Sequence, residues 1–208
     1  MREPQAQSLN PAERLDWLRL IRSDNVGPIT FYKLLEHFGT AGAALDALPG
    51  MARRGGRSKA FKVCPKAAAG REMDALEKAG AALIACGEAD YPPLLAHIED
   101  APPLISVKGH RHLLAKKTIA VVGARNASIN ARKFAGKIAA DLGGGGLLIA
   151  SGLARGVDAA AHEGALATGT VAVTAGGVDV IYPKENTALY QRIVEQGVVI
   201  SEIAMGTK

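Results

Sequence analysis

Two short stretches constrain this chain most: Val121-Val122-Gly123-Ala124-Arg125-Asn126-Ala127-Ser128 and Ser151-Gly152-Leu153-Ala154-Arg155-Gly156-Val157-Asp158. Each follows an apolar run, turns on glycine, carries one arginine and leads into a helical pattern. Two such strand–loop–helix units in succession imply a parallel sheet with both loops at the carboxyl ends of their strands. That edge is where open α/β sheets bind ligands, and helix N-termini with glycine-freed amides favour anions. An arginine in each loop points to phosphate, whose oxygens match the guanidinium fork.

The surrounding pattern fits. From Leu104 onward, apolar runs near 104–108, 118–122, 147–150, 170–174 and 198–201 read as strands, and 128–141, 157–167 and 186–196 as helices. Gly143 to Gly146 ends the first long helix, where a left-handed C-cap favours glycine. Strands so uniformly apolar are expected to be covered on both faces, giving an α/β, Rossmann-like, mostly parallel doubly wound sheet. Upstream, residues 11–48 read as helices. Pro11-Ala12-Glu13-Arg14 is a helix start; Leu15, Leu18, Leu20 and Ile21 recur at helical spacing, as do Phe31, Leu34, Leu35 and Phe38. Between the two stripes lies Asn25-Val26-Gly27-Pro28. A helix-hairpin-helix whose hairpin amides meet a DNA backbone and an ordinary Gly-Pro turn both fit it. Arg53 to Lys59 reads as a basic, glycine-rich loop, 66–80 as a helix, and 82–85 as a short strand. The proline-rich Tyr91–Pro103 connector disfavours regular structure. The expected division is a small helical domain over 1–88 and a Rossmann-like domain over 89–208.

With 208 residues, 48% of them hydrophobic, the chain can bury one good core and a small satellite. No apolar run reaches the roughly 18 residues that would span a bilayer, and Met1–Ser8 lacks a signal-peptide stretch, so a cytoplasmic location is expected, with no membrane partner. Cys64 and Cys86 lack metal-ligand spacing and read as free thiols. The net charge of +5 suits a polyanion, and its distribution is more telling. No acid interrupts Arg53–Arg71, nor the run Lys108, Arg111, Lys116, Lys117, Arg125, Arg132, Lys133, Lys137 between Asp100 and Asp141. A solvated face and a nucleic-acid footprint both produce such runs.

The candidate anion-binding residues are Gly123, Arg125 and Ser128 in the first loop, and Ser151, Gly152 and Arg155 in the second. Ser128 can cap the next helix or donate to a phosphate. The first loop is not a dinucleotide fingerprint, because Arg125 stands where glycine would admit a pyrophosphate, and no Walker lysine pattern occurs. A third loop, Ala175 to Asn186, belongs to the same edge. There Gly176 and Gly177 allow close backbone approach, Tyr182 can stack on a base or pack, and Lys184 adds a cation. Asp158 and His162 stand one helical turn apart. A general acid–base pair fits that spacing, but the preferred reading is structural: a carboxylate suits the first turn and His162 is its satisfied neighbour. No catalytic residue, metal site or cofactor is expected.

At these residues the chain resembles the DprA/Smf family of DNA-processing proteins. The likeness rests on Val122–Ser128, Ser151–His162, Gly176–Asn186 and Ile200-Ser201-Glu202, and extends upstream through Tyr91-Pro92-Pro93 and Ala101-Pro102-Pro103 to the hairpin segment. The resemblance implies an extended Rossmann-like domain that binds single-stranded DNA, is not an enzyme, and loads the RecA recombinase in natural transformation, often as a homodimer. It places the phosphate-contacting arginine at Arg125 and the pocket lysine at Lys184. The family continues beyond its Ser-Glu strand into an F-P-x-R-N-R segment; this chain ends at Lys208. The expectation is a C-terminally incomplete domain whose 198–201 strand is an unprotected edge. The competing reading is a nucleotide-binding enzyme of the nucleoside-monophosphate phosphoribohydrolase type, though its P-G-G-x-G-T loop and following glutamate are absent.

Overall fold

The computed structural model describes residues 8–54 and 62–208. Two compact units emerge: one from residues up to Ala75 together with Ile84–Leu104, the other from Leu76–Leu83 and Ile105–Lys208.

The first unit is helical. Asn10 opens α1 (Pro11–Ile21) with a capping box: its side-chain oxygen accepts from the Ala12 and Glu13 N–H groups, and Glu13 accepts from the Asn10 N–H. The chain turns through Asn25, whose φ is +61°, and enters α2 (Pro28–Phe38) with proline at its first position. Helix α3 (Ala41–Arg54) follows. Leu20, Phe31, Leu34, Leu45 and Leu48 form the core, with Trp17 edge-on to Phe31 at 5.0 Å between ring centroids. Of the helical stripes read from sequence, Leu18, Leu20, Phe31 and Leu34 are buried, while Leu15, Ile21, Leu35 and Phe38 are half-buried. The basic Arg53–Lys59 segment differs from expectation at its start, since α3 continues through Arg54; residues 55–61 lie outside the described residues. Glu88 ties the unit together. Burial alone would raise its carboxyl, but hydrogen bonds from Arg14 and from the Ala85 and Leu9 N–H groups outweigh that and hold it below the usual range.

Helix α4 (Lys66–Lys78) leads to β1 (Ala81–Ala85), and the prolines enclose only one short helix, α5 (Pro93–Ala96). Then come β2 (Leu104–Gly109), β3 (Thr118–Ala120), α6 (Ile129–Gly144), β4 (Leu148–Ser151), α7 (Val157–Ala165), β5 (Thr170–Val173), α8 (Thr187–Gln196) and β6 (Val198–Ser201). The sheet order is β1-β2-β6-β5-β4-β3. Strands β3 to β6 are mutually parallel, while β2 runs antiparallel to β6 with Ser106 opposite Ser201. This is the α/β, Rossmann-like, mostly parallel sheet the pattern predicts. Among the described strands the winding runs one way, from β3 to β6, so α6, α7 and α8 share a face. Ile149 meets Ala139 of α6 and Ala161 and Ala165 of α7; Ala172 and Val199 meet Leu189, Tyr190 and Ile193 of α8.

Two sequence expectations fail here. The 198–201 strand is not an edge, because β2 arrives from upstream and pairs along its free side, leaving all four β6 residues buried. Nor is every strand covered on both faces: β3 ends the sheet, and its Ile119 is 40% exposed.

Helices α6 and α7 approach closely because glycine faces glycine. A Cβ on Gly164 would sit 2.1 Å from the Gly136 carbonyl oxygen. We expect Gly164→Ala to cost about 1–3 kcal/mol in urea unfolding. Gly144→Ala, which meets nothing within 4 Å, should be nearly neutral.

Candidate nucleic-acid interface

Three loops follow β3, β4 and β5 at one edge of the sheet. They are locked to each other before any ligand is considered. Gly156, with φ of +80°, lies so close to the first loop that a Cβ would be 2.2 Å from the Ala124 oxygen. Gly123 reciprocates, since its Cβ would meet Val157 at 2.8 Å. Leu153 holds a left-handed φ of +57° with its side chain wholly buried, so packing anchors a conformation that costs about 1–2 kcal/mol.

The buried Asp158 carboxylate joins these loops. It accepts from the N–H of Gly123 at 3.4 Å, of Gly152 at 3.2 Å and of Ala154 at 3.4 Å. Amides freed at such strand–helix turns cradle phosphate in nucleotide-binding α/β folds. Here an internal carboxylate fills the nest. Ser151 is buried too, and its hydroxyl donates to the Val121 carbonyl at 2.7 Å. Asn186 ties the third loop to the second by donating to the Leu153 and Ala154 carbonyls at 2.8 and 3.3 Å.

The cationic side chains face outward from this frame. Arg125 and Arg155 line one cleft of about 820 Å³ with Asn186. Among the described residues no carboxylate pairs with Arg125. Arg155 pairs with Glu185 at 2.7 Å, but the two side chains are 57% and 61% exposed, so the pair is worth at most about 1 kcal/mol and yields readily to a phosphate. Lys184 is exposed on the third loop beside Tyr182, itself 73% exposed, which rules out the packed alternative for that ring. Ser128 caps α6, accepting from the Ala131 N–H at 3.2 Å, and keeps its own proton to donate. Gly176 and Gly177 do allow close backbone approach, but to the chain itself: their Cβ positions fall 2.7 Å from the Thr207 oxygen and 2.6 Å from the Ala204 oxygen.

His162 is fully buried. The Thr170 hydroxyl donates to the Ile149 carbonyl, so it accepts from His162 Nδ1 at 2.8 Å. That assigns the ring proton to Nδ1, and Nε2 has no hydrogen-bond partner among the described residues. Burial pushes the imidazole down to about 4, against the opposing pull of the Asp158 carboxylate and the Ser151 backbone. Asp158 is committed to loop amides and His162 to Thr170, so His162 is not the satisfied hydrogen-bond neighbour of Asp158 that the preferred reading expected. Neither the tie made by Asn186 nor the pairing of Glu185 with Arg155 is signalled along the sequence. Among the described residues no metal-binding cluster forms, and no helix is long and apolar enough to cross a membrane.

Family models match over residues 11–75, as a DprA-like N-terminal HHH domain, and over residues 82–208, as DNA recombination-mediator protein A. The chain belongs to the DprA/Smf family. Among DprA/Smf relatives, Protein Smf of Synechocystis is 30% identical over 95% of this chain and 52% of its own length. DNA processing protein DprA of Streptococcus pneumoniae is 43% identical over 56% of this chain and 42% of its own. The chain spans about half the length of the curated relatives it matches. The X-ray structure of the Streptococcus pneumoniae DprA superposes with a TM-score of 0.66 at 29% identity, covering 97% of this chain and 70% of that one. DprA from Helicobacter pylori, whose single-stranded DNA binding mode has been described structurally, gives 0.56 at 26% identity over 62% of this chain and 58% of its own.

Two outcomes are expected of the frame. Asp158→Ala strands three loop amides and should lower unfolding free energy by about 2–4 kcal/mol in urea titrations. The His162 imidazole, ordinarily near 6.5, titrates at about 4 when folded. Between those values the unfolded chain binds the extra proton, so stability falls as pH falls through the window, by about 3 kcal/mol at most. The pH slope of denaturation over that range should flatten in His162→Leu.

Proposed function

We propose that this protein is a non-enzymatic single-stranded DNA-binding protein that holds the sugar–phosphate backbone at the three-loop edge. The observation that carries this is the division of labour there. Asp158 already occupies the amide nest, while Arg125, Arg155 and Lys184 present charge outward from successive loops. A filled nest disfavours a bound mononucleotide or dinucleotide. Cations on separate loops suit a polymer with repeated charges.

In this reading Arg125, Arg155 and Lys184 contact phosphates, and the Ser128 hydroxyl donates to one. Gly123, Ser151 and Gly152 set the shape of the edge that presents them. Tyr182 is free to stack on a base. Asp158 is committed to loop amides and His162 is buried without access to solvent, which favours binding over glycosidic cleavage. As the family resemblance implies, the bound strand would be protected and passed to the RecA recombinase in the cytoplasm, with homodimerisation part of the same assembly.

A fluorescent oligothymidine titration at two salt concentrations tests the site. Affinity should fall with salt, with a slope of about 0.7 per phosphate neutralised. In Arg125→Ala/Lys184→Ala we expect affinity to drop at least about tenfold and the slope to shrink by about 1.4, two phosphates' worth. Undiminished binding in that variant would sink the assignment.

A further inference from the structure

The cleft that contains Arg125 and Arg155 does not stop at the loops. It continues between α6 and α7, and Arg132, Lys133 and Lys137 of α6 line it. None of these three belongs to the loop edge. Among the residues lining the cleft are five cations and one carboxylate, that of Glu163. Lys137 pairs with Asp141 across one helical turn, with both side chains largely exposed, and neither Arg132 nor Lys133 has a carboxylate partner among the described residues. A helix displayed only for solubility interleaves both signs. The first three turns of α6, from Ile129 to Ala140, carry cations alone.

The floor matters as much as the charge. Gly136, Ala160 and Gly164 line the same cleft, and the helices meet there backbone to backbone. No long side chain rises from those positions. From Arg132 to Lys137 the helix advances about 7.5 Å at 1.5 Å per residue, so the cations form a short row.

We propose that the α6–α7 cleft is a second phosphate track, along which a single DNA strand continues away from the three-loop edge. It rests on the reading of that edge as a single-strand site. The loops hold the first phosphates; Lys133 and Lys137, on one helix face, with Arg132 beside them, take the next. Glu163 is the opposing charge and limits affinity.

Oligothymidines of about 4 and about 25 nucleotides, at the lower limit of and above the usual range of site sizes, separate the two sites on the full chain. The variant Arg132→Gln/Lys133→Gln/Lys137→Gln changes exposed helix positions to another good helix former, and circular dichroism confirms its fold. It should bind the short strand within about twofold of wild type. For the long strand it should lose about tenfold in affinity and about 2 in salt slope, three phosphates at 0.7 each. Glu163→Gln should tighten the long strand alone by about two- to threefold, by removing the one like-signed charge. An unchanged affinity and slope for the long strand in the triple variant would overturn the track and leave the loop edge standing. An equal loss for both lengths would overturn it as well, showing a diffuse field rather than a path. Failure of the wild type to bind either strand would overturn both.

Discussion

The Asp158 carboxylate is the interaction on which the rest of this edge depends. Three N–H groups from two loops converge on it, and it sits in the first turn of α7, where the helix dipole favours negative charge. Remove it and three loop donors lose their shared acceptor together. With it in place, the two loops are tied to one another, Gly123 and Gly156 are pressed against neighbouring atoms, and the arginines point outward. The same contact decides what the edge can bind. In a dinucleotide-binding fold the amides of such a turn serve the ligand; in this chain they serve the protein, which leaves the outward side chains as the groups offered to a ligand.

The fold was largely legible because most of it is written locally. Strand and helix positions follow from period and punctuation, and the Asn10 capping box and the Gly27-Pro28 entry to α2 can be read within a few residues. What escaped is non-local. The antiparallel arrival of β2 beside β6 joins residues about ninety positions apart, and no window along the chain contains both. That pairing is why the strand near 198–201 lies inside the sheet.

The site shows the same boundary. The glycine–arginine loops announced a phosphate-binding edge, and Arg125 and Arg155 do share a cleft. The glycines were harder to interpret. Gly123, Gly156, Gly176 and Gly177 all permit close approach, as their residue type implies, but the approaching atoms belong to Val157, Ala124, Thr207 and Ala204. A sequence states that something must come near a glycine without stating what. Asp158 was legible as a helix-start carboxylate; its acceptance of an amide from Gly123, thirty-five residues upstream, was not.

The Arg155–Glu185 pair gives the edge an unusual chemical character. Under the proposed function, Arg125 would neutralise a phosphate and release a cation condensed on the strand, the usual source of entropy and of salt sensitivity. Arg155 already carries its anion, and that anion is tethered to the third loop. Under the proposed function, strand binding at this position would be an exchange: a phosphate replaces a carboxylate that remains attached to the protein. The freed Glu185 would attract a cation in turn, so the net ion release there would be smaller, and the exchange would be governed by how much better two phosphate oxygens match the guanidinium fork than Glu185 does. In that reading one loop edge would combine a contact tuned by ionic strength with another tuned by geometry.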